Sequence, residues 1–254
     1  MAVEKTSYEP GTPIWVDIGC DVEKAAAFYG ALFGWTTMDP APGQDTGGYT
    51  MFMYKGAIVA GLGPQQSPGP PYWTTYFATS DADATAAAVK ASGGTVFVDP
   101  MDVMDAGRMA ICADPSGAAF GLWQAGQHTG AQRVNEPNTW GWNELQTRDI
   151  DAARSFYPAV LGVGLGGAPQ YVELQVGGAS VAGMMPMPPG VPDEVPSNWL
   201  TYFVVDDCEA AMAKVGGLGG MVVMGPMDVE VGRFAVCVDD QGAAFAVIRM
   251  NETA

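Results

Sequence analysis

The chain has 254 residues, 48% of them hydrophobic and 15% charged, enough apolar material for two ordinary domains and more than a disordered chain carries. Acidic residues outnumber basic ones 28 to 11, giving a net charge of −17 that argues against nucleic acid or an anionic membrane as partner. No apolar run approaches the roughly 20 residues of a membrane span, and MAVEKTSYEPGTP lacks the apolar stretch of a secretory leader, so a cytoplasmic location is expected. The acidity itself reads either as a solubilising surface or as attraction for a cationic small molecule.

The first predicted element is a strand at PIWVDIG (13–19), followed by a helix over DVEKAAAFYGALFG (21–34) with an acidic start and apolar residues at helical spacing. Short strands follow at YTMFMY (49–54) and AIVAGL (57–62), around the turn KG. The order then recurs: strand TTYFAT (74–79), helix DADATAAAVKAS (81–92) stopped by GG, and strands TVFV, RMAICA and AAFGLW. The polar segment QAGQHTGAQRVNEPNT (124–139), with Gly and Pro, is the expected linker. Beyond it DIDAARSFYPAVLG and DDCEAAMAKVGG supply two more helices, with Pro158 expected to kink the last turn of the first.

Self-comparison explains the recurrence. WTTYFATSD (73–81) returns as WLTYFVVDD 126 positions later, PMDV (100–103) also returns after 126, and GRMAICADPSGAAF (107–120) returns as GRFAVCVDDQGAAF after 125. WVDIGCDVEKAAAFY, opening at Trp15, returns as WNELQTRDIDAARSFY, opening at Trp142. The chain is a tandem duplication with expected domains 1–123 and 140–254. Each domain is read as two βαβββ units, an α+β order of elements. Cys20, Cys112, Cys208 and Cys237 show no CxxC spacing and read as reduced packing groups.

Four motifs carry a resemblance: W-x-[DE]-[IL] leading through D-[IV] into FY, a [WL]-T-Y-F strand after a Pro-rich loop, GG after the second helix, and GR-x-A-x-C-x-D-x-x-GAAF. Together they resemble the glyoxalase/bleomycin-resistance/extradiol-dioxygenase superfamily, also called vicinal oxygen chelate proteins, and within it tandem two-domain actinobacterial members. The resemblance implies that the paired βαβββ units of each domain curl a mixed sheet around a cavity, with four metal-ligand positions per domain in the family's enzymes. They map to Trp15, Gly61, Thr74 and Gly121, and to Trp142, Gly183, Leu200 and Ala246. None of the eight bears a metal-ligating side chain, and the single histidine, His128, lies in the linker, outside both expected domains. No metal and no cofactor is therefore expected.

Alternation from those positions names the other cavity-lining residues. The candidate ligand-binding set is Trp15, Asp17, Tyr49, Met51, Tyr76 and Trp123 in the first domain, and Trp142, Glu144, Tyr171, Leu200 and Tyr202 in the second, with no catalytic residue assigned. The phase of the strands holding Tyr49 and Met51, or Tyr171 and Glu173, stays open, as does whether one cavity or both bind. Gly61 and Gly121 are expected to leave room for a broad, flat, apolar guest. Arg108 and Arg233, each with an Asp shortly upstream, read as a repeated structural ion pair or as anion capture. The lone His128 argues against Ser–His–Asp or Cys–His catalysis, and no P-loop or dinucleotide pattern occurs. The leading expectation is metal-independent sequestration of a bulky, partly aromatic small molecule, most simply an antibiotic, as in the family's metal-free bleomycin- and enediyne-binding resistance proteins. The alternatives are a metal-free lyase, isomerase or hydroxylase-like enzyme on an aromatic polyketide, a diverged glyoxalase, or an interaction protein with vestigial cavities. A monomer with internal domain pairing or a homodimer suits the duplication.

Overall fold

The computed structural model of the protein describes residues 5–38, 45–66 and 68–251. The outer ends of the two expected domains, 1–4 and 252–254, lie outside the described residues. The first half runs β1 (Pro13–Cys20), α1 (Val22–Phe33), β2 (Thr36–Thr37), β3 (Thr50–Tyr54), β4 (Ala57–Pro64), β5 (Tyr72–Ala78), α2 (Ala82–Ala91), β6 (Thr95–Val103), β7 (Gly107–Ala113) and β8 (Ala119–Ala125). The second half repeats it with β9 (Trp140–Thr147), α3 (Ile150–Leu161), β10 (Gly164–Ala168), β11 (Tyr171–Val176), β12 (Ala179–Pro186), β13 (Asn198–Val204), α4 (Cys208–Gly217), β14 (Met221–Val229), β15 (Gly232–Val238) and β16 (Ala244–Met250). The strands form two eight-stranded mixed sheets, ordered β2-β3-β4-β1-β5-β8-β7-β6 and β10-β11-β12-β9-β13-β16-β15-β14. Within each sheet two βαβββ units join along one antiparallel seam, β1 with β5 and β9 with β13. This is the expected duplicated α+β architecture. The short edge strands β2 and β10 do not read as separate apolar runs: Thr36–Thr37 has no alternation and three of the five residues of GLGGA are glycine, so only pairing to β3 and β11 defines them.

Local chemistry places each helix. All four begin at an aspartate, Asp21, Asp81, Asp149 and Asp207, whose side chain accepts from the amide three residues on. A second acid follows in every first turn, Glu23, Asp83, Asp151 and Glu209, where the helix dipole favours it. Gly34 and Gly162 end α1 and α3 in the left-handed conformation at φ 74° and 70°. The repeated arginines tie helix to strand: Arg108 reaches Asp83 at 2.8 Å and Asp102 at 2.9 Å, and Arg233 reaches Glu209 and Asp228, each at 2.6 Å. Of the two expectations for these arginines, the structural ion pair is the one observed.

The two domains pack against each other through one face of each sheet and through α1 and α3. Helix α1 buries Ala25, Phe28, Tyr29, Leu32 and Phe33, and this stripe packs on Phe203 and Phe245 of the other domain, with Phe33–Phe203 centroids 5.0 Å apart. Helix α3 buries Phe156 and Tyr157 against Phe77 and Phe120 in the reciprocal way. Each helix thus serves the core of both domains. Two reciprocal hydrogen bonds fix the docking: Tyr29 donates to Asp239 Oδ2 and Tyr157 to Asp114 Oδ2, both at 3.0 Å, while Trp73 and Trp199 donate to those tyrosine hydroxyls, also at 3.0 Å. The aspartates belong to the DPSG and DDQG turns, where they also accept the amides of Ser116 and Ala118, or Gln241 and Ala243. The repeated FY is therefore interface, and the opposite faces of the sheets point away from it. All four cysteines are free and buried, and burial pushes the Cys20, Cys112 and Cys237 thiols up to about 12. No described helix is long and apolar enough to cross a membrane.

Removing one interface hydroxyl leaves a buried indole N–H and a carboxylate oxygen short of a partner. Tyr157→Phe is expected to destabilise the chain by about 1–3 kcal/mol, read from the midpoint of urea unfolding.

Candidate functional site

The candidate residues share the face of each sheet opposite the docking surface, termed its trough, and strand register sets which of them lie there. Alternation sends Val16 and Ile18 to the docking side and Trp15 and Asp17 to the trough. Trp15 lies opposite Tyr76, and Asp17 opposite Thr74, across the β1–β5 seam. Asp17 also neighbours Gly61, and Tyr76 neighbours Gly121. Met51 pairs with Gly61 and Trp123 with Ala78, which puts both on the same side. In the second domain Glu144 stands between Gly183 and Leu200, Trp142 opposite Tyr202, and Tyr202 beside Ala246. The open phase is decided by the hairpin pairings: Tyr49 reaches into the trough ahead of β3, and Tyr171 and Glu173 share its side on β11.

The same hydrogen-bond pattern is built twice. Trp15 Nε1 donates to the Tyr49 hydroxyl at 2.9 Å, and that hydroxyl donates to Asp17 Oδ2 at 3.2 Å. Tyr76 donates to the same oxygen at 3.1 Å, and Thr74 adds a further bond. In the second domain Trp142 Nε1 donates to the Tyr171 hydroxyl at 2.8 Å, which places that phenol close to Glu144. Tyr202 donates to Glu144 Oε1 at 2.8 Å, and Gln146 Nε2 donates to the same oxygen at 3.2 Å. Because Tyr49 accepts an indole proton, its own proton is free for the Asp17 carboxylate, to which it donates.

The glycines do not leave room for a guest, contrary to expectation. A Cβ on Gly61 or Gly183 would strike the hydroxyl of Tyr49 or Tyr171, and one on Gly121 would strike the Tyr76 ring. The space beside the bare backbone is already taken by the chain's own phenols. Glycine is required here for close approach, not for a turn.

The two troughs differ in access. In the first, Trp15, Tyr76 and Trp123 are buried, and Asp17, Tyr49 and Met51 are half-buried. The linker folds back over the indoles: the His128 ring sits edge-on to Trp15 at 4.4 Å and to Trp123 at 5.5 Å, and Trp123 Nε1 donates to the His128 carbonyl at 2.9 Å. The amides of Ala131 and Gln132, bonded to the Ile14 and Ile58 carbonyls, hold the segment down, as does Tyr8 on the Ala131 carbonyl. The expectation that His128 stands outside both domains is thus corrected. A polar, Gly-containing stretch pays for its return to the sheet with backbone hydrogen bonds that sequence pattern does not display. Among the described residues His128 Nε2 has no hydrogen-bond partner, and burial holds the imidazole down at about 4. In the second trough Trp142 and Tyr171 are half-buried, over a buried Glu144, Tyr202 and Leu200. Met224 and Phe234 flank them, with Val236 and Ile248 behind. Sequence reading missed Gln146 as a partner of Glu144 and missed this second wall. Its signal was the register of β14 and β15 on β16, which only pairing reveals.

Burial raises both carboxylates, Asp17 to about 6, against the lowering pull of Tyr76, Tyr49 and Thr74. Glu144 rises for the same reason, opposed by Tyr202, Gln146 and Tyr171. Burial and the neighbouring carboxylate hold the four phenols above their ordinary range.

Residues 18–122 and 139–247 match the family model described as Glyoxalase/Bleomycin resistance protein/Dioxygenase superfamily. A Mycobacterium tuberculosis protein carrying the provisional name glyoxylase CFP32 is 44% identical over 97% of each chain. Anthracycline biosynthesis protein DnrV of Streptomyces peucetius is 42% identical, over 97% of this chain and 96% of its own. Among solved structures, the Mn(II)-bound glyoxalase of Novosphingobium aromaticivorans superposes with a TM-score of 0.66 at 18% identity, covering 94% of this chain and 82% of that one. The 2,3-dioxygenase LapB of Pseudomonas sp. KL28 gives 0.65 at 15%, covering 96% and 93%. At such identities these two bear on the fold alone.

The metal implied by the resemblance does not fit the residues present. The mapped ligand positions offer indoles, bare backbone, a threonine and aliphatic side chains; Asp17 and Glu144 are already engaged by phenols, and Glu173, on the same side in the second domain, by Ser180. Among the described residues no group of three or more His, Cys, Asp or Glu side chains is placed to hold an ion.

Asp17 offers a measurable consequence. Its folded-state pKa lies above its unfolded value, so below pH 4 the native protein loses nothing by burying it, and the penalty develops as pH rises through about 6. The stability of the wild type relative to Asp17→Asn should therefore fall by about 2 kcal/mol between pH 4 and pH 7. Urea titrations of both proteins across that range check it; a flat difference would show that Asp17 ionises as freely folded as unfolded.

Proposed function

Because the chain belongs to the glyoxalase/bleomycin resistance protein/dioxygenase superfamily, yet has no metal-ligating side chain at the mapped positions, we propose that it binds a bulky, partly aromatic small molecule through side chains alone, in the second-domain trough. One observation carries this reading: half-buried Trp142 and Tyr171 stand over a buried Glu144 that Tyr202 and Gln146 also hold. Indole and phenol faces supply apolar area of about 150–250 Å² per ring, and stacking adds about 0.5–1.5 kcal/mol per pair. The carboxylate then fixes orientation. Relatives named for anthracycline biosynthesis support a polycyclic aromatic polyketide as the ligand class. The use proposed is sequestration of such an antibiotic in the cytoplasm, by a chain whose two domains already pair internally. The first trough, with its indoles sealed under His128, serves stability.

A second reading has its own support. A buried carboxyl raised above its usual range and facing two phenols is a general acid–base arrangement, so conversion of the bound polyketide without a metal is the enzymatic alternative.

Tryptophan fluorescence titrated with a panel of tetracyclic polyketides tests both. Binding should quench the signal at a fixed stoichiometry and release the compound unchanged on extraction, whereas recovery of a converted product favours the enzyme. Trp142→Ala should weaken binding roughly 10–100-fold. Trp15→Ala should act on stability first, costing about 3–5 kcal/mol for the cavity beneath His128. Undiminished affinity in Trp142→Ala removes the proposed site.

A further inference from the structure

We infer that the ligand of the second-domain trough carries a protonated amine, and that this ammonium pairs with Glu144 while the aromatic body lies on Trp142 and Tyr171. The inference rests on the trough being the binding site and adds the charge of what enters it.

The first argument is the direction of the hydrogen bonds. Tyr202 and Gln146 donate to Glu144 Oε1, at 2.8 and 3.2 Å, and the Tyr171 hydroxyl, held from behind by the Trp142 indole, stands close to the same carboxyl. Two donors on one oxygen favour the ionised form against the burial that raises this carboxyl. Both donors are neutral, so the charge itself is left without a complement.

The second argument is where the cations are. Among the described residues every ion pair lies elsewhere: on the helix starts, the exposed strand edges and the linker, through Lys24, Lys90, Arg108, Arg133, Arg148 and Arg233. No pair includes Glu144. Buried carboxylates are ordinarily matched by a cation, and here the two rings above Glu144, Trp142 and Tyr171, are half-buried rather than sealed. A cation arriving there meets π faces before it meets the carboxylate, both attractive to positive charge. The net charge of −17 adds a long-range pull of the same sign.

The third argument is repetition. The order indole, phenol, carboxylate, phenol is written in both domains, at Trp15, Tyr49, Asp17 and Tyr76 as at Trp142, Tyr171, Glu144 and Tyr202. Interdomain docking does not require it, because Asp114 and Asp239 perform that task on the opposite faces. A neutral guest would leave Glu144 uncompensated and gain nothing from it.

The test compares two ligands on one folded protein. At pH 7.5 the full-length chain is titrated with 1-[(2-aminoethyl)amino]anthraquinone and with its N-acetyl derivative, which keeps the ring system and removes the charge. The amine should bind roughly tenfold tighter or better, as a charge-assisted bond provides, and the preference should shrink to about twofold in Glu144→Gln. Sodium chloride should weaken the amine and not the acetamide. Equal affinity of the two compounds for the wild type overturns the ammonium assignment while the aromatic trough stands, and so does a preference that survives in Glu144→Gln. If neither compound binds, the trough is not the site and both readings fall. The wild-type comparison and its salt dependence decide the matter without the variant, should Glu144→Gln not fold.

Discussion

Two buried tyrosine hydroxyls, each donating to an aspartate of the other domain, set the geometry from which everything else follows. Tyr29 and Tyr157 sit on helices that belong to one domain by connectivity and to the other by packing. A buried phenol must find an acceptor, and a buried carboxylate must find donors; each meets the need of the other, with Trp73 and Trp199 completing the network. Aromatic packing around the pair supplies the driving force, while the hydrogen bonds specify one docking. With those faces committed to each other, the opposite faces are left as two outward troughs.

What fills those troughs is an exchange of backbone for side chain. Glycine at Gly61, Gly121 and Gly183 lets a phenol lie directly on the neighbouring strand, where any Cβ would collide. The positions that the resemblance associates with metal ligands are thereby converted into seats for tyrosines, and the tyrosines are organised by an acid that the same strand supplies two residues after its tryptophan. The chemistry changes from gripping an ion to presenting hydroxyls and rings around one carboxylate. In the first domain the linker closes the indole end of this arrangement; in the second, Trp142 and Tyr171 keep part of their surface in reach of a guest.

That difference resolves a symmetry the duplication would otherwise impose. Two copies descended from one unit carry equivalent walls, yet the segment joining them can lie over only one. Ile14 and Ile58 offer it backbone carbonyls, and Trp15 and Trp123 offer its histidine an apolar bed, so it settles on the first trough. An imidazole in that setting is held neutral by burial and acts as a wedge. In the second trough the corresponding indole, Trp142, is half-buried over a buried Glu144.

Much of this was readable before any coordinates. The offset of about 126 residues, the helix-capping aspartates, the alternation of Trp15 with Asp17 and of Trp142 with Glu144, and the lack of ligating side chains at the mapped positions are local or periodic properties, carried by neighbours in the chain. They determined the duplicated α+β fold and the trough-facing side of the central strands. Only the tertiary structure decided that FY is an interface motif, that the glycines are covered by phenols, that Met224 and Phe234 form a wall, and that His128 plugs one cavity. Each of those depends on which distant segment comes to lie against a residue, through register, curvature and the path of a linker. Such contacts are chosen by the packing of the whole chain and leave no period in its sequence.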